Sequence, residues 1–165
     1  MTTDSSSANR LIEIVIALSA EKDTTVLMER ILLEAMDISQ ADGGTLYLRD
    51  EDFLKFEIVR TNSLEIAQGG TTGGEVTLPP MALKNAEGLP NTHNIVTYAA
   101  NEGKTVNIPD VYLSEDFDFT GTKKFDEAFG FKGFRSTSFL TVPMKNNADE
   151  VIGVLQLLNR TDPET

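Results

Sequence analysis

Apolar side chains gather in two helical clusters before any strand-like pattern begins. In residues 9–18, Leu11, Ile12, Ile14, Val15, Ile16 and Leu18 fall in a stretch free of proline and glycine, which predicts a largely buried helix. A polar break follows and offers Asp23 or Thr24 as N-cap for a second helix. There Leu27, Met28, Ile31, Leu32, Ala35 and Met36 recur at helical spacing. This amphipathic helix is expected to end near Asp42-Gly43-Gly44, where glycine permits a left-handed turn.

The period then changes. Residues 45–49 and 53–61 are rich in β-formers and flank Asp50-Glu51-Asp52, a pattern that predicts an antiparallel hairpin. The glycine-rich run 68–74 is expected to form a mobile surface loop, ahead of a short strand at 76–78 closed by Pro79-Pro80. A third helix over 94–102 has Thr92 or Asn94 as cap and Gly103 as stop, and a strand follows at 105–108. After an aromatic and acidic stretch, residues 138–144 and 151–158 read as a second hairpin across 145–150. The sum is an α+β domain of helices and a mostly antiparallel sheet. A chain of 165 residues is expected to form one such domain, with residues 1–8 as a flexible lead.

Side chains alternate across a sheet, so the last strand can be read by face. Val151, Gly153, Leu155 and Leu157 share one side, and Ile152, Val154, Gln156 and Leu158 the other. Both faces are apolar, which places this strand centrally, buried on both sides. Gln156 is the exception: its amide either bonds a neighbouring group or water, or faces a ligand cavity. Thr45 and Tyr47 share one face of the first strand, opposite Leu46 and Leu48, and supply a second polar group to the same cavity if the two strands are neighbours.

Composition narrows the function classes. Apolar residues make up 40% and charged residues 24%, as in an ordinary globular protein, and no run approaches a membrane-spanning length. The absence of a signal-peptide pattern at the N-terminus points to the cytoplasm. The net charge is −12 and the basic residues are scattered, which argues against nucleic acid and membrane insertion or binding to anionic lipid. There is no cysteine, which removes disulfides, thiolate nucleophiles, iron–sulfur clusters and a thioether-linked bilin.

Several strings, in this order, resemble the GAF domain, a regulatory module of cyclic-nucleotide phosphodiesterases, adenylyl cyclases, phytochromes and bacterial signalling proteins. They are Ala41-Asp-Gly-Gly-Thr-Leu-Tyr-Leu48, Gly103-Lys-Thr-Val-Asn-Ile-Pro-Asp-Val-Tyr112, Gly133-Phe-Arg-Ser136 leading into Phe139-Leu-Thr-Val-Pro-Met144, and Glu150-Val-Ile-Gly-Val-Leu-Gln-Leu-Leu-Asn-Arg160. The resemblance implies a PAS-related fold over residues 9–165. Its six-stranded, mostly antiparallel sheet carries helices on one face and a pocket-covering helix and loops on the other. The chain is expected to stop before the family's closing helix. The resemblance implies a regulatory, small-molecule-binding role in bacterial signal transduction, with a cyclic nucleotide or similar small anion as ligand and a separate output domain.

By position, the resemblance implies ligand contacts at Thr45, at Val59 and Arg60, at the backbone of Ile95 and Val96, at Ser136 and at Gln156. A helix N-terminus at Ile95 and Val96 suits an anion, although both residues also read as simple core. Arg60 stands where an acid reads guanine in cGMP binders, and Gln156 replaces an acid, so the familiar cGMP contacts are not expected. Arg60 reads either as a solvated strand residue or as the partner of an anionic ligand.

Catalytic equipment is missing. His93 is the sole histidine, so no histidine-based triad or zinc site can be assembled, and its loop position reads as exposed rather than haem-ligating. The acidic pairs Glu115-Asp116 and Asp126-Glu127 read as solvated, and no phosphate-loop or nucleophile-elbow pattern occurs. The expectation is a sensor and not an enzyme, whose loops 68–94 and 110–131 are candidate movable covers. The alternative is a ligand-free dimerisation and signal-relay module. In it Leu11, Ile12, Val15 and Leu18 would form a homodimer seam, a role that competes with burial against the chain's own sheet.

Overall fold

Helix α1 (Thr24–Ser39) turns Met28, Leu32 and Met36 onto one face of a sheet, where they meet Leu46, Ile58 and Leu157. The structure is a computed structural model that describes residues 24–71, 73–130 and 133–160. The predicted helix at 9–18, its Leu11, Ile12, Val15 and Leu18 seam, and the candidate cap Asp23 lie outside the described residues. Helix α1 is followed by β1 (Ala41–Asp50), β2 (Phe53–Thr61), β3 (Ile66–Gly69) and β4 (Met81–Ala82). Helix α2 (Ile95–Glu102), β5 (Val106–Ile108), α3 (Thr120–Phe129), β6 (Phe139–Lys145) and β7 (Val151–Arg160) complete the order.

The strands run β3-β2-β1-β7-β6-β5 with antiparallel neighbours throughout, and two-residue β4 pairs with the far end of β2. The α+β class and the antiparallel sheet are those expected from the sequence. Strand β7 is central, between β1 and β6, which accounts for its apolar residues on both faces. A core lies on each face. On one side α1 covers Leu46, Ile58 and Leu157; on the other α2 and the following segments cover Tyr47, Leu54, Phe139 and Val154.

Four local expectations are corrected. Helix α1 stops at Ser39, ahead of Gly43 and Gly44, with Gln40 taking the left-handed turn at φ 59°. The two glycines instead belong to β1, because α1 packs directly over them: a Cβ on Gly44 would stand 2.7 Å from Leu32 Cδ1 and 3.1 Å from Met36 Cγ. Residues 76–78 form no strand; β3 and β4 occupy the β2 edge instead. The glycine-rich run is not simply a surface loop, since Gln68 and Gly69 are in β3 and the Gly69 amide donates to the Gly74 carbonyl at 2.7 Å.

The fourth concerns register. A bulge near Met144 and Lys145 pairs Lys145 with Val151 but Met144 with Gly153. One extra residue in β7 flips the alternation there. Val151 therefore packs with the Tyr47 side of the sheet instead of sharing the face of Leu155 and Leu157. A second bulge, between Leu46 and Tyr47, opposes Leu46 to Ile58 and Tyr47 to Phe56, so Phe56 joins Tyr47. The third helix is as expected: Asn94 Oδ1 accepts from Val96 N at 2.8 Å, and Gly103 ends it in the left-handed region.

Candidate functional site

Between the Tyr47 face of the sheet and the segments over it lies a cavity of about 310 Å³. That is at the lower end of the range for small-molecule sites, roughly 300–1,000 Å³. Its floor comes from β1, β2, β6 and β7 through Thr45, Tyr47, Phe56, Val59, Thr61, Phe139, Gln156 and Leu158. Its roof comes from the start of α2, from α3, and from Leu78, Met81, Phe134 and Ser136. Parts of both predicted cover segments, 68–94 and 110–131, thus lie over it.

Six of the seven residues singled out in the sequence line this one cavity: Thr45, Val59, Ile95, Val96, Ser136 and Gln156. Thr45 sits opposite Val59 on β2 and opposite Gln156 on β7, so the ladder itself brings the three together. Ile95 and Val96 are both about 3% exposed, and they belong to the apolar core as well as to the cavity wall.

Arg60 is the exception, and here the expectation is corrected. It pairs with Gly44, one step from the Thr45–Val59 pair, and alternation sends its side chain to the α1 face. There Nη2 meets Glu29 Oε1 at 2.8 Å. The arginine is neither solvated nor available to a ligand in the cavity.

The polar groups of the cavity are held in place. Gln156 Nε2 donates to Thr141 Oγ1 at 3.1 Å, and its Oε1 accepts from the Tyr47 hydroxyl at 3.5 Å. The amide thus both bonds its neighbours and faces the cavity. Burial pushes the Tyr47 phenol above its ordinary range, with its contact to Thr45 pulling weakly the other way. Asp118 Oδ1 accepts the Thr120 amide at 2.9 Å and its hydroxyl at 2.5 Å, and these bonds hold the carboxyl below its usual range. Ser136 is bound by Asp126 through both its amide, at 3.0 Å, and its hydroxyl, at 2.8 Å.

Asp126 and the helix that carries it were missed in the sequence. Residues 120–129 offer Phe125 and Phe129 one helical turn apart, and their rings stack at 4.7 Å between centroids. That spacing was the available signal, obscured by Gly121 and two lysines. Asp126 reads as solvated beside Glu127, yet it is 6% exposed. His93 is exposed, and its carbonyl accepts the Asp118 amide at 2.7 Å.

The described lining carries one acid, Asp118, and no Lys, Arg or His. Its chemistry is that of an apolar, aromatic enclosure with a few neutral polar handles, suited to holding a molecule. Among the described residues no cluster of His, Asp or Glu is arranged to hold a metal ion, and no helix is long and apolar enough to cross a membrane.

The model of the GAF domain family matches residues 23–165. Over 150 residues the chain is 31% identical to the dual 3′,5′-cyclic-AMP and -GMP phosphodiesterase 11A of Takifugu rubripes, covering 91% of this chain and 15% of that protein's length. Among solved structures, a putative GAF sensor protein from Burkholderia vietnamiensis matches with a TM-score of 0.59 at 14% identity, over 96% of this chain and 80% of that one. The free methionine-R-sulfoxide reductase of Neisseria meningitidis, solved with its substrate, matches with a TM-score of 0.57 at 16% identity, over 94% and 74%. At these identities the structural likeness is one of fold.

Proposed function

The chain belongs to the GAF domain family, whose members are generally regulatory small-molecule-binding sensors, and from that premise we propose that its cavity is the sensory site of a bacterial signal-transduction protein. The observation that carries this reading is the convergence of Thr45, Val59, Ile95, Val96, Ser136 and Gln156 on one cavity. Occupancy would control a separate output domain, and the bacterial assignment rests on the pattern of strings from Ala41 to Arg160. We read the role as that of a regulator and not of a catalyst, as members of the family generally are.

A cyclic nucleotide is the first ligand class to test, given the 31% identity to a phosphodiesterase named for cyclic AMP and cyclic GMP. Aromatic rings from Phe56, Phe119 and Phe139 suit a planar base. The phosphate would lie at the N-terminus of α2, where the helix dipole favours an anion, and would replace the Asn94 oxygen that now caps Val96 N. A ligand of this kind transmits a signal only by binding one arrangement of the covering segments better than another.

Thermal melting and calorimetric titration of the chain with cyclic AMP and cyclic GMP, beside adenosine and guanosine, test this directly. A saturable rise in melting temperature with a cyclic nucleotide, weaker with the nucleoside, is the expected result. No binding by any of the four, together with no small molecule retained in native mass spectrometry, overturns the reading and leaves the ligand-free relay module.

A further inference from the structure

The polarity of the cavity at Ser136 is decided by a residue that does not line it. Asp126, on α3, accepts three hydrogen bonds: from the Ser136 hydroxyl to Oδ1 at 2.8 Å, and from the Ser136 amide at 3.0 Å and the Tyr112 hydroxyl at 2.5 Å to Oδ2. A carboxylate is an acceptor only, whereas a serine hydroxyl has one proton and two lone pairs. The single proton of Ser136 is therefore committed to Asp126, and Oγ of this cavity-lining residue keeps its lone pairs for a second partner. Both residues are buried, Asp126 at 6% and Ser136 at 3%, so water does not readily relax the arrangement.

We infer that Asp126 is a specificity-determining residue. By taking the Ser136 proton it makes Oγ an acceptor and selects ligands that present an N–H or O–H donor at that point. A ligand with only an acceptor there would face lone pairs with lone pairs, and a buried mismatch of this kind costs roughly tenfold in affinity. The inference rests on the reading of the cavity as the ligand site and adds the hydrogen-bond sign that the ligand must carry. It also ties selection to closure, since the same carboxylate anchors α3, whose Gly121, Thr122 and Phe125 roof the cavity.

Asp126→Asn separates this role from a purely structural one. The amide oxygen should take the place of Oδ2, where two donors converge, which puts the NH2 group against Ser136 Oγ as a donor. The serine proton is then released toward the cavity and the polarity reverses. The probes are indole, with one donor and no acceptor, and isoquinoline, with one acceptor and no donor, titrated by NMR into the whole 165-residue chain. The parent chain should favour indole. Asp126→Asn should move the indole-to-isoquinoline ratio at least tenfold toward isoquinoline, and Ser136→Ala should fall between. An unchanged ratio in Asp126→Asn, with both probes weakened alike, overturns the inference.

A ligand-free measurement keeps the two readings distinguishable. In mixed light and heavy water, the Ser136 Cβ resonance of the parent chain should split into a slowly exchanging pair, and the pair should merge in Asp126→Asn. Merged signals in the parent chain, with probe binding intact, overturn the Asp126 inference alone. A split pair with neither probe bound overturns the proposed selection, and when the cyclic nucleotides and nucleosides also fail to bind and native mass spectrometry shows no retained molecule, the ligand-site reading falls with it.

Discussion

Arg60 and Glu29 form an ion pair of 2.8 Å on the face of the sheet opposite the cavity, each side chain about 7% exposed. The guanidinium also donates to the carbonyls of Val59, Gln68 and Gly69, and the second carboxylate oxygen accepts from the amide and hydroxyl of Thr71. One pair thus joins α1, β2 and the start of the glycine-rich run. Removing one member of a buried pair strands the other charge, at about 3–5 kcal/mol. Glu29→Ala is expected to lose that much in urea denaturation. The double variant Glu29→Ala/Arg60→Met should lose less than the two single losses added together. Ligand affinity should be unchanged in any variant that stays folded, because Arg60 points away from the cavity.

Gly44 sets how closely α1 can lie on β1. A Cβ there would fall 2.7 Å from Leu32 Cδ1, and Leu32 is fully buried. Overpacking of this kind costs about 1–3 kcal/mol. Gly44→Ala should lower stability within that range, and the Leu32→Ala background should shrink the penalty. Equal penalties in both backgrounds would show that helix and strand do not meet at this point.

How much of this was legible in the sequence follows from which forces act locally. Helix α2 was readable because Asn94 and Gly103 cap it through their own side-chain and backbone chemistry. Gly43 and Gly44 suggest a helix stop, since a glycine needed for close packing looks the same in sequence as one needed for a turn. The face of Arg60 follows from alternation once Thr45 and Val59 are paired, yet its partner Glu29 is 31 residues away and on another element. Val151 was misplaced because a bulge is a property of two strands together. Asp126 reads as solvated for the same kind of reason: its three donors come from Tyr112 and Ser136, and nothing in residues 125–127 announces them.

Asp118 gives the site an acid-side pH dependence. Bonds from the Thr120 hydroxyl and amide lower its pKa in the fold. A depressed carboxyl contributes stability that is present above its unfolded value, about 3.9, and that is lost as the pH falls through the folded value. An NMR titration should therefore place the Asp118 midpoint below that of an ordinary aspartate. Thr120→Val, which removes the hydroxyl but keeps the amide, should move it part of the way back. A midpoint indifferent to Thr120→Val would show that the hydroxyl bond does not form in solution.

Tyr47 supplies the opposite limb. Burial raises its phenol above the ordinary range, because the phenolate would lose its hydration beneath Phe56 and against Gln156. For an acid whose neutral form is favoured by folding, the stabilisation is complete below the unfolded value of about 10 and disappears as the pH rises through the folded one. Phenolate absorbance from Tyr47 should accordingly appear together with loss of structure in an alkaline titration. Tyr47→Phe should abolish that coupled phase and leave the chain more resistant to base. The variant gives up a long bond of 3.5 Å to Gln156, whose NH2 group remains tied to Thr141, and the contact to Thr45, so stability at neutral pH should change by about 1 kcal/mol. If Tyr47 ionised freely while the fold stayed intact, the floor of the cavity would be open to water, and the enclosure on which ligand selection depends would not exist.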